Sequence, residues 1–253
     1  MDTMLLERYK QGWEDIGELD PLWAVLTEPS AQYGRWDPEA FFRTGTDEIH
    51  KVMEEASRLS YPKRKGVALD FGCGVGRLTR ALAGFFEKSY GVDISEAMVT
   101  KARELNGDLN NCNFVVSDSA DLRTFPDETF DFIYSARVLQ HLPSQKAIEQ
   151  YISEFARVLK SGGLLVFQVP GSMSLRWRLQ PRRRVYSLLR RLGVGKEFLY
   201  HKLGVFPMKM TPFPRRAVES LLSRLGIRLL KVEPDLDTSP GMPGAKYYAV
   251  KGA

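Results

Sequence analysis

The sequence predicts a doubly wound α/β fold, in which helices cover both faces of a mostly parallel sheet. Three observations near residue 70 carry this prediction. The apolar run 67–69 is typical of a buried strand. It ends in a carboxylate, Asp70, and a glycine-rich turn over Gly72–Gly76. Past the turn, apolar residues recur at the spacing of a helix, as Leu78, Leu82 and Phe86.

The spacing of the glycines distinguishes between ligands. A dinucleotide fingerprint, G-x-G-x-x-G, would need a third glycine at position 77, where Arg77 stands. The pattern present is Asp-x-Gly-x-Gly-x-Gly, which resembles motif I of the class I S-adenosylmethionine (SAM) methyltransferases at every position. The resemblance implies a Rossmann-like seven-stranded sheet with SAM as cofactor. It implies cofactor contacts around the turn for Asp70, Gly72, Cys73, Gly74, Gly76 and Arg77.

The composition is that of a globular chain with one large core. Of its 253 residues, 43% are hydrophobic and 26% are charged. Two cysteines are too few for a disulfide framework, and no apolar run approaches the ~20 residues that span a bilayer. No signal-peptide pattern opens the chain, so we expect a cytoplasmic location. The three histidines lack metal-ligand spacing, so no metal site is predicted.

Residues 1–65 are predicted to form a helical cap, and residues 66–253 the SAM-binding core. Asp37-Pro38 and Thr46-Asp47 are each typical of a helix start. Aromatic residues cluster beside them, including Trp36 and Phe42. Two interpretations stay open: these aromatics pack the cap onto the sheet, or they fold over the cofactor and wall the acceptor pocket. Residues 20–45 also resemble the lead-in of a bacterial subgroup associated with sugar-containing and secondary-metabolite acceptors.

Acids follow the second and third predicted strands. Asp93 ends the strand over residues 89–92, where a carboxylate can accept hydrogen bonds from both ribose hydroxyls of a nucleoside. Asp118 follows the strand over 113–116, at the family's adenine-binding position, with Asp121 as the alternative acid. The resemblance implies cofactor contacts here for Asp93, Ile94, Met98, Asp118 and Ser119.

The fourth strand, residues 130–135, leads to a histidine. This stretch resembles the family's motif IV region, including its hydrophobic–x–His–hydrophobic ending at His141. Because strand ends line the crevice of such sheets, we expect Ser135 and Ala136 near the methionine part of SAM. His141 is the candidate general base. A packing or orienting role is the alternative.

The end of the chain completes the sheet. A fifth strand is predicted at 164–169, a last helix from Arg215 to Leu225, and two strands at 228–232 and 246–250. A closing reversed hairpin is the methyltransferase variant of the doubly wound fold. The resemblance therefore covers residues 67–251, with one interruption.

The interruption, residues 171–210, is a basic insertion where the family places acceptor-specific elements. Residues 171–216 hold twelve arginines and lysines against one acid, a net charge of +11, so the rest of the chain carries −6 of the total +5. Pro181 is predicted to begin an amphipathic helix over 181–192. Three interpretations stay open. They are a solvated basic face, an anionic-acceptor site at Arg182, Arg183 and Arg184, and peripheral docking on the inner face of an anionic membrane.

Together these patterns predict transfer of a methyl group from SAM to a small-molecule or glycan-type acceptor. A hydroxyl acceptor needs a base, either His141 or, failing it, Asp37 or Asp131. The alternatives are a non-catalytic SAM-binding regulatory partner and a methyltransferase acting on RNA or protein. Against RNA, residues 134–137 lack the Asn/Asp-Pro-Pro-aromatic signature of the family's amino-methylating members, and no RNA-binding module accompanies the basic segment.

Overall fold

The computed structural model describes residues 3–117, 121–235 and 241–252. The helices are α1 (Thr3–Leu19), α2 (Pro21–Val25), α3 (Pro38–Arg58), α4 (Arg77–Leu82), α5 (Glu96–Leu105), α6 (Gln145–Val158), α7 (Leu175–Leu179), α8 (Pro181–Arg191), α9 (Lys196–His201) and α10 (Arg215–Arg224). The strands are β1 (Val67–Phe71), β2 (Lys88–Asp93), β3 (Cys112–Val116), β4 (Phe130–Ser135), β5 (Leu159–Pro170), β6 (Ile227–Asp235) and β7 (Gly244–Lys251). No helix within these ranges is long and apolar enough to cross a bilayer.

The seven strands form one sheet in the order β3-β2-β1-β4-β5-β7-β6. The first five are parallel, and β7 lies antiparallel between β5 and β6. This confirms the predicted doubly wound sheet with a reversed hairpin at its end. The chain order reverses direction between β1 and β4, and the carboxyl ends of strands at such a switch point frame a crevice.

Two layers of helices cover the sheet. On one face α6 and α10 bury side chains such as Phe155 and Leu222 against it. On the other face α3 and α4 do so, with Ile49 of α3 and Leu82 of α4 fully buried. The periodic apolar residues of each helix therefore face the sheet, as the 3.6-residue pattern requires.

The expected second helix start at Thr46 is wrong. Helix α3 runs unbroken from Pro38 to Arg58, and Asp37 caps it by accepting a hydrogen bond from Ala40 N at 2.7 Å. Gly45 lies in its middle, where an added Cβ would be 2.5 Å from the Arg77 carbonyl oxygen. Glycine at this position lets α3 and α4 pack closely, so tertiary packing outweighs the local start signal.

The N-terminal helices and the insertion hold each other through two buried aspartates. Asp15 of α1 accepts hydrogen bonds from Tyr186 Oη at 2.5 Å and Arg190 Nε at 3.1 Å, both on α8. Asp20 accepts one from Tyr200 Oη of α9 at 2.7 Å. At the base of the insertion, Phe213 N donates to Pro170 O at 2.8 Å.

Candidate functional site

A cavity of about 1360 Å³ lies between the carboxyl edge of the sheet and the combined cap and insertion. Ligand pockets commonly measure ~300–1,000 Å³, so this cavity has room for a nucleoside cofactor and a second molecule. The sheet edge contributes residues of the glycine turn, the end of β2 and the exit of β4. The other walls are aromatic and sulfur-rich, with Trp13, Trp23, Trp36, Trp177, Phe206, Met208, Met210 and Met242.

The glycine turn and Asp93 form one hydrogen-bonded unit. Gly72 has a φ of 75°, and a side chain there would overlap Val138, so only glycine fits. Gly74 N donates to Asp93 Oδ2 at 2.9 Å, and Ser95 N donates to Asp93 Oδ1 at 3.0 Å. Burial raises the pKa of the Asp93 carboxyl. These two hydrogen bonds do not use all the lone pairs of the carboxylate, and Asp93 lines the cavity. The remaining lone pairs fit the paired hydroxyls of a ribose.

Most of the predicted site residues meet in this cavity. Those that line it are Trp36, Gly72, Cys73, Gly74, Arg77, Asp93, Ile94, Met98, Ala136, His141, Arg182 and Arg183. Asp118 and Ser119, predicted to contact adenine, lie outside the described residues.

Five predicted residues do not line the cavity, each for a local reason. Asp70 is buried behind the turn and accepts a hydrogen bond from Thr79 Oγ1 at 2.7 Å, and burial raises its pKa to about 7. Gly76 caps α4, and Ser135 Oγ donates to Phe71 O at 3.2 Å. Phe42 packs on Phe41 and beneath the Arg80 guanidinium, and Arg184 points to solvent.

His141 is held in one tautomer at the cavity wall. Its Nδ1 lies 2.7 Å from Lys209 O, and because a carbonyl only accepts, Nδ1 carries the proton. Its Nε2 is therefore an acceptor, with Gln140 Nε2 at 3.3 Å. Trp13 packs edge-on against the ring at a centroid distance of 5.2 Å. Burial lowers the pKa of His141 to about 4, so the ring is neutral at physiological pH.

The two alternative bases lie elsewhere. Asp37 caps α3 and does not line the cavity. Asp131 Oδ2 accepts hydrogen bonds from Val67 N and Lys160 Nζ, both at 2.8 Å, near the start of β4. Strand starts lie at the edge of the sheet opposite the cavity. Neither carboxylate therefore fits the role of base.

Sequence patterns missed a buried ion cluster beside the turn. Glu48 Oε2 accepts hydrogen bonds from Arg77 Nη2 at 2.8 Å and Arg137 Nη1 at 3.0 Å, and Oε1 accepts one from Tyr134 Oη at 2.8 Å. Burial acts to raise the pKa of Glu48, but Arg137 and Arg77 outweigh it and lower the pKa to about 2. The cluster joins α3, α4 and the exit of β4. No local pattern links residues so far apart in the chain.

Basic residues without acidic partners lie on the insertion side of the cavity. Arg182 and Arg183 line it, and neither has an ion-pair partner among the described residues. Burial, and then the neighbouring Arg184, lower the pKa of Arg183. Burial, and then Arg183, lower the pKa of Lys209. Lys209 donates through Nζ to Pro143 O and does not line the cavity, so Arg182 and Arg183 are the cations that face a ligand there.

Within the described ranges, no three His, Cys, Asp or Glu side chains cluster as metal ligands would.

Comparison of the sequence with known proteins identifies a methyltransferase domain. Residues 69–167 match the methyltransferase domain family. A 2-methyl-6-phytyl-1,4-hydroquinone methyltransferase of Synechocystis is 33% identical over 162 residues, 61% of this chain and 47% of that protein. A trans-aconitate 2-methyltransferase of Variovorax paradoxus is 34% identical over 137 residues, 53% of this chain and 50% of that protein. The chain thus spans about half the length of these curated relatives.

A solved structure shares the whole fold. Magnesium protoporphyrin IX methyltransferase of Synechocystis, with bound S-adenosylhomocysteine (SAH), superposes with a TM-score of 0.62 at 19% identity, over 96% of this chain and 98% of that one. At that identity the likeness concerns the fold alone. The matched domain, the sheet order and the glycine turn all indicate a methyltransferase fold. Residues 69–167 form a methyltransferase domain, the whole chain has the class I SAM-dependent methyltransferase fold, and both findings support SAM as the cofactor.

Proposed function

We propose that this chain methylates a hydroxyl group of a small, partly apolar and anionic acceptor. The observation that carries the proposal is the position of His141. A neutral imidazole lines the same cavity as Asp93 and the glycine turn. Its acceptor nitrogen Nε2 is paired with Gln140 Nε2 at 3.3 Å and can receive a proton once that amide turns away. A base so placed can take the proton of a hydroxyl as it is methylated.

Each residue has a distinct part in the proposed reaction. SAM supplies an electrophilic methyl group on a sulfonium. Asp93 and the backbone of the glycine turn hold and orient the nucleoside end of the cofactor. The aromatic walls contributed by the cap and insertion exclude water and align the acceptor, and alignment alone supplies much of a methyl-transfer rate. His141 Nε2 accepts the proton.

The walls of the cavity suggest the chemical class of the acceptor. Trp13, Phe206 and Met210 favour an apolar or aromatic body over a glycan. Arg182 and Arg183, which line the cavity, favour a carboxylate or phosphate on that body. The names of two relatives, a hydroquinone methyltransferase and a trans-aconitate methyltransferase, agree with a hydroxylated ring and a carboxylate respectively.

Calorimetric titration with SAM and SAH, followed by transfer of tritiated methyl groups, tests the proposal. We expect micromolar binding of both, and label transfer to 2,5-dihydroxybenzoate in preference to the neutral 2,5-dihydroxybenzamide. Binding without transfer to any hydroxylated compound would favour a non-catalytic partner. Transfer only to RNA or protein would favour the other alternative.

Asp93→Ala is expected to weaken SAM binding by about 100-fold, the loss of two hydrogen bonds to a charged acceptor at ~1.5 kcal/mol each. Calorimetry measures the change in Kd. Asp108→Ala removes an exposed carboxylate that pairs with Arg80 and should leave Kd unchanged. Equal SAM affinity in Asp93→Ala and wild type would remove Asp93 from the cofactor site.

Arg182→Gln combined with Arg183→Gln is expected to raise the KM for 2,5-dihydroxybenzoate by about tenfold, as one charge-assisted interaction is lost. The KM for the amide and the Kd for SAM should not change, because both substitutions leave Asp93, the glycine turn and His141 in place. Arg191→Gln, at the exposed end of α8, is the matched control. A parallel rise in KM for both compounds would mean that these cations do not select the anion.

A further inference from the structure

The insertion exposes an unusual amount of apolar side chain. Of the large hydrophobic residues described as exposed, all but Tyr33 lie between residues 175 and 203. They are Leu175, Leu179, Val185, Leu188, Leu192, Phe198 and Leu203, which we call the insertion surface. Leu175 is 71% exposed and Leu192 is 72% exposed. Apolar residues scattered singly need no explanation, but a concentration within one short segment marks an interaction site.

Helix α8 shows that this exposure belongs to a face of the helix. Val185, Leu188 and Leu192 are separated by three and four residues, so they share one side. On the other side, Tyr186 and Arg190 bond to Asp15 of α1. The helix is therefore held through Tyr186, Leu189 and Arg190 and turns Val185, Leu188 and Leu192 outward, so a second apolar stripe of the helix is left uncovered.

Cations accompany the exposed leucines. Arg178, Arg184, Arg191 and Lys202 are exposed, and none has an ion-pair partner in the part of the chain that the structure describes. Residues 171–216 carry a net charge of +11. A second copy of the chain that docked through the same surface would bring the same positive charge to it and be repelled. An anionic partner would be attracted, and its surface must also accommodate apolar side chains.

We propose that the insertion surface docks on an anionic lipid bilayer. The leucines and Phe198 enter the interfacial region, and the arginines and lysine lie at the lipid phosphates, as in other basic amphipathic segments. Trp177, Pro181 and Arg182 belong to the same helices and line the cavity. The docked bilayer therefore adjoins the cavity on the side of the insertion. That this side receives the acceptor rests on the proposed function. The docking itself does not depend on that function.

Co-sedimentation of the full chain with vesicles tests the docking. Wild type is expected to pellet with vesicles of phosphatidylglycerol and phosphatidylcholine, to stay in solution with phosphatidylcholine alone, and to be released by 0.5 M salt. Leu188→Gln combined with Leu192→Gln should lower the partition coefficient at least about tenfold, because apolar area is lost without a change of charge. Arg184→Gln with Arg191→Gln should lower it similarly. Arg64→Gln with Arg224→Gln removes two exposed charges elsewhere and should have a much smaller effect.

SAM affinity, measured by calorimetry on each variant, reports whether the cofactor site is intact. Wild type that stays in solution with the anionic vesicles would overturn the proposal. Equal pelleting of the leucine variant and wild type would do so as well. A concentration-dependent dimer of wild type that the leucine substitutions abolish, without vesicle binding, would assign the surface to self-association instead. None of these results would bear on methyl transfer, which is measured separately with soluble acceptors.

Discussion

His141→Ala is expected to lower kcat by about 10²- to 10⁴-fold, the usual contribution of a general base, and to change the Kd for SAM by less than about threefold. The physical reason is that the neutral ring lines the cavity and keeps Nε2 as its acceptor nitrogen, because Nδ1 donates to Lys209 O. Stopped assays of methyl transfer and calorimetry of SAM binding measure the two quantities. His50→Ala, an exposed histidine on α3, is the control. Near-wild-type turnover in His141→Ala would make the ring a packing group.

The pH dependence offers a second test of the same residue. A histidine of ordinary pKa would protonate near 6.5, but burial lowers the pKa of His141 to about 4. His141 therefore stays neutral, and able to accept a proton, between pH 6.5 and pH 4. As the pH is lowered, kcat should fall near pH 4 and show no inflection near 6.5. The unfolded chain binds more protons than the folded chain between these values, so His141 makes stability decline as pH drops from 6.5 to 4. An inflection near 6.5 that disappears in a variant of His141 would contradict the buried, neutral ring.

Glu48→Gln is expected to lower the free energy of unfolding by about 3–5 kcal/mol, the cost of removing one partner from a buried ion pair. The Arg77 side chain is only 2% exposed, and Glu48 provides its carboxylate. Without that charge, the guanidinium stays buried beside a neutral amide. Urea denaturation monitored by circular dichroism measures the loss. Glu54→Gln, an exposed glutamate on the same helix, should change stability by less than about 0.5 kcal/mol.

The sign of the pH effect distinguishes this ion cluster from ordinary packing. The pKa of Glu48 is lowered from 4.5 to about 2 in the folded protein. The stabilisation is complete above pH 4.5 and is lost as pH falls toward 2, since the unfolded chain takes up the proton first. The difference in stability between wild type and Glu48→Gln should therefore shrink over that interval. A difference that does not vary with pH would mean that the substitution acts through shape alone.

The lining that the sheet edge gives to the cavity could be predicted because its signals are local. A strand, a glycine turn and an acid at the next strand end lie within short windows, and parallel strands bring their carboxyl ends to one edge. Asp93 and Gly72 were placed in this way. Asp70 shows the limit of such patterns. The motif specifies the residue, but only the structure shows that its carboxylate bonds to Thr79 behind the turn.

The acceptor half depends on contacts between distant parts of the chain, which no periodicity encodes. Trp13 of α1 packs against His141, and Asp15 of the same helix is bonded to helix α8 of the insertion. Helix α8 was predicted from Pro181, since proline at a helix start is a local signal. The outward direction of Val185, Leu188 and Leu192, with Leu189 packed inward, was not predictable, because an amphipathic pattern does not say which face finds a partner.

The hydrogen bond between Phe213 N and Pro170 O has a consequence for exchanging segments of the chain. The chain leaves β5 after Pro170 and is bonded back to the same residue at Phe213, so the segment between them can be replaced without altering the strand order. The exchange is constrained, because Asp15 and Asp20 of the N-terminal helices are bonded to tyrosines of that segment. A graft of that segment into another chain must therefore carry the N-terminal helices as well.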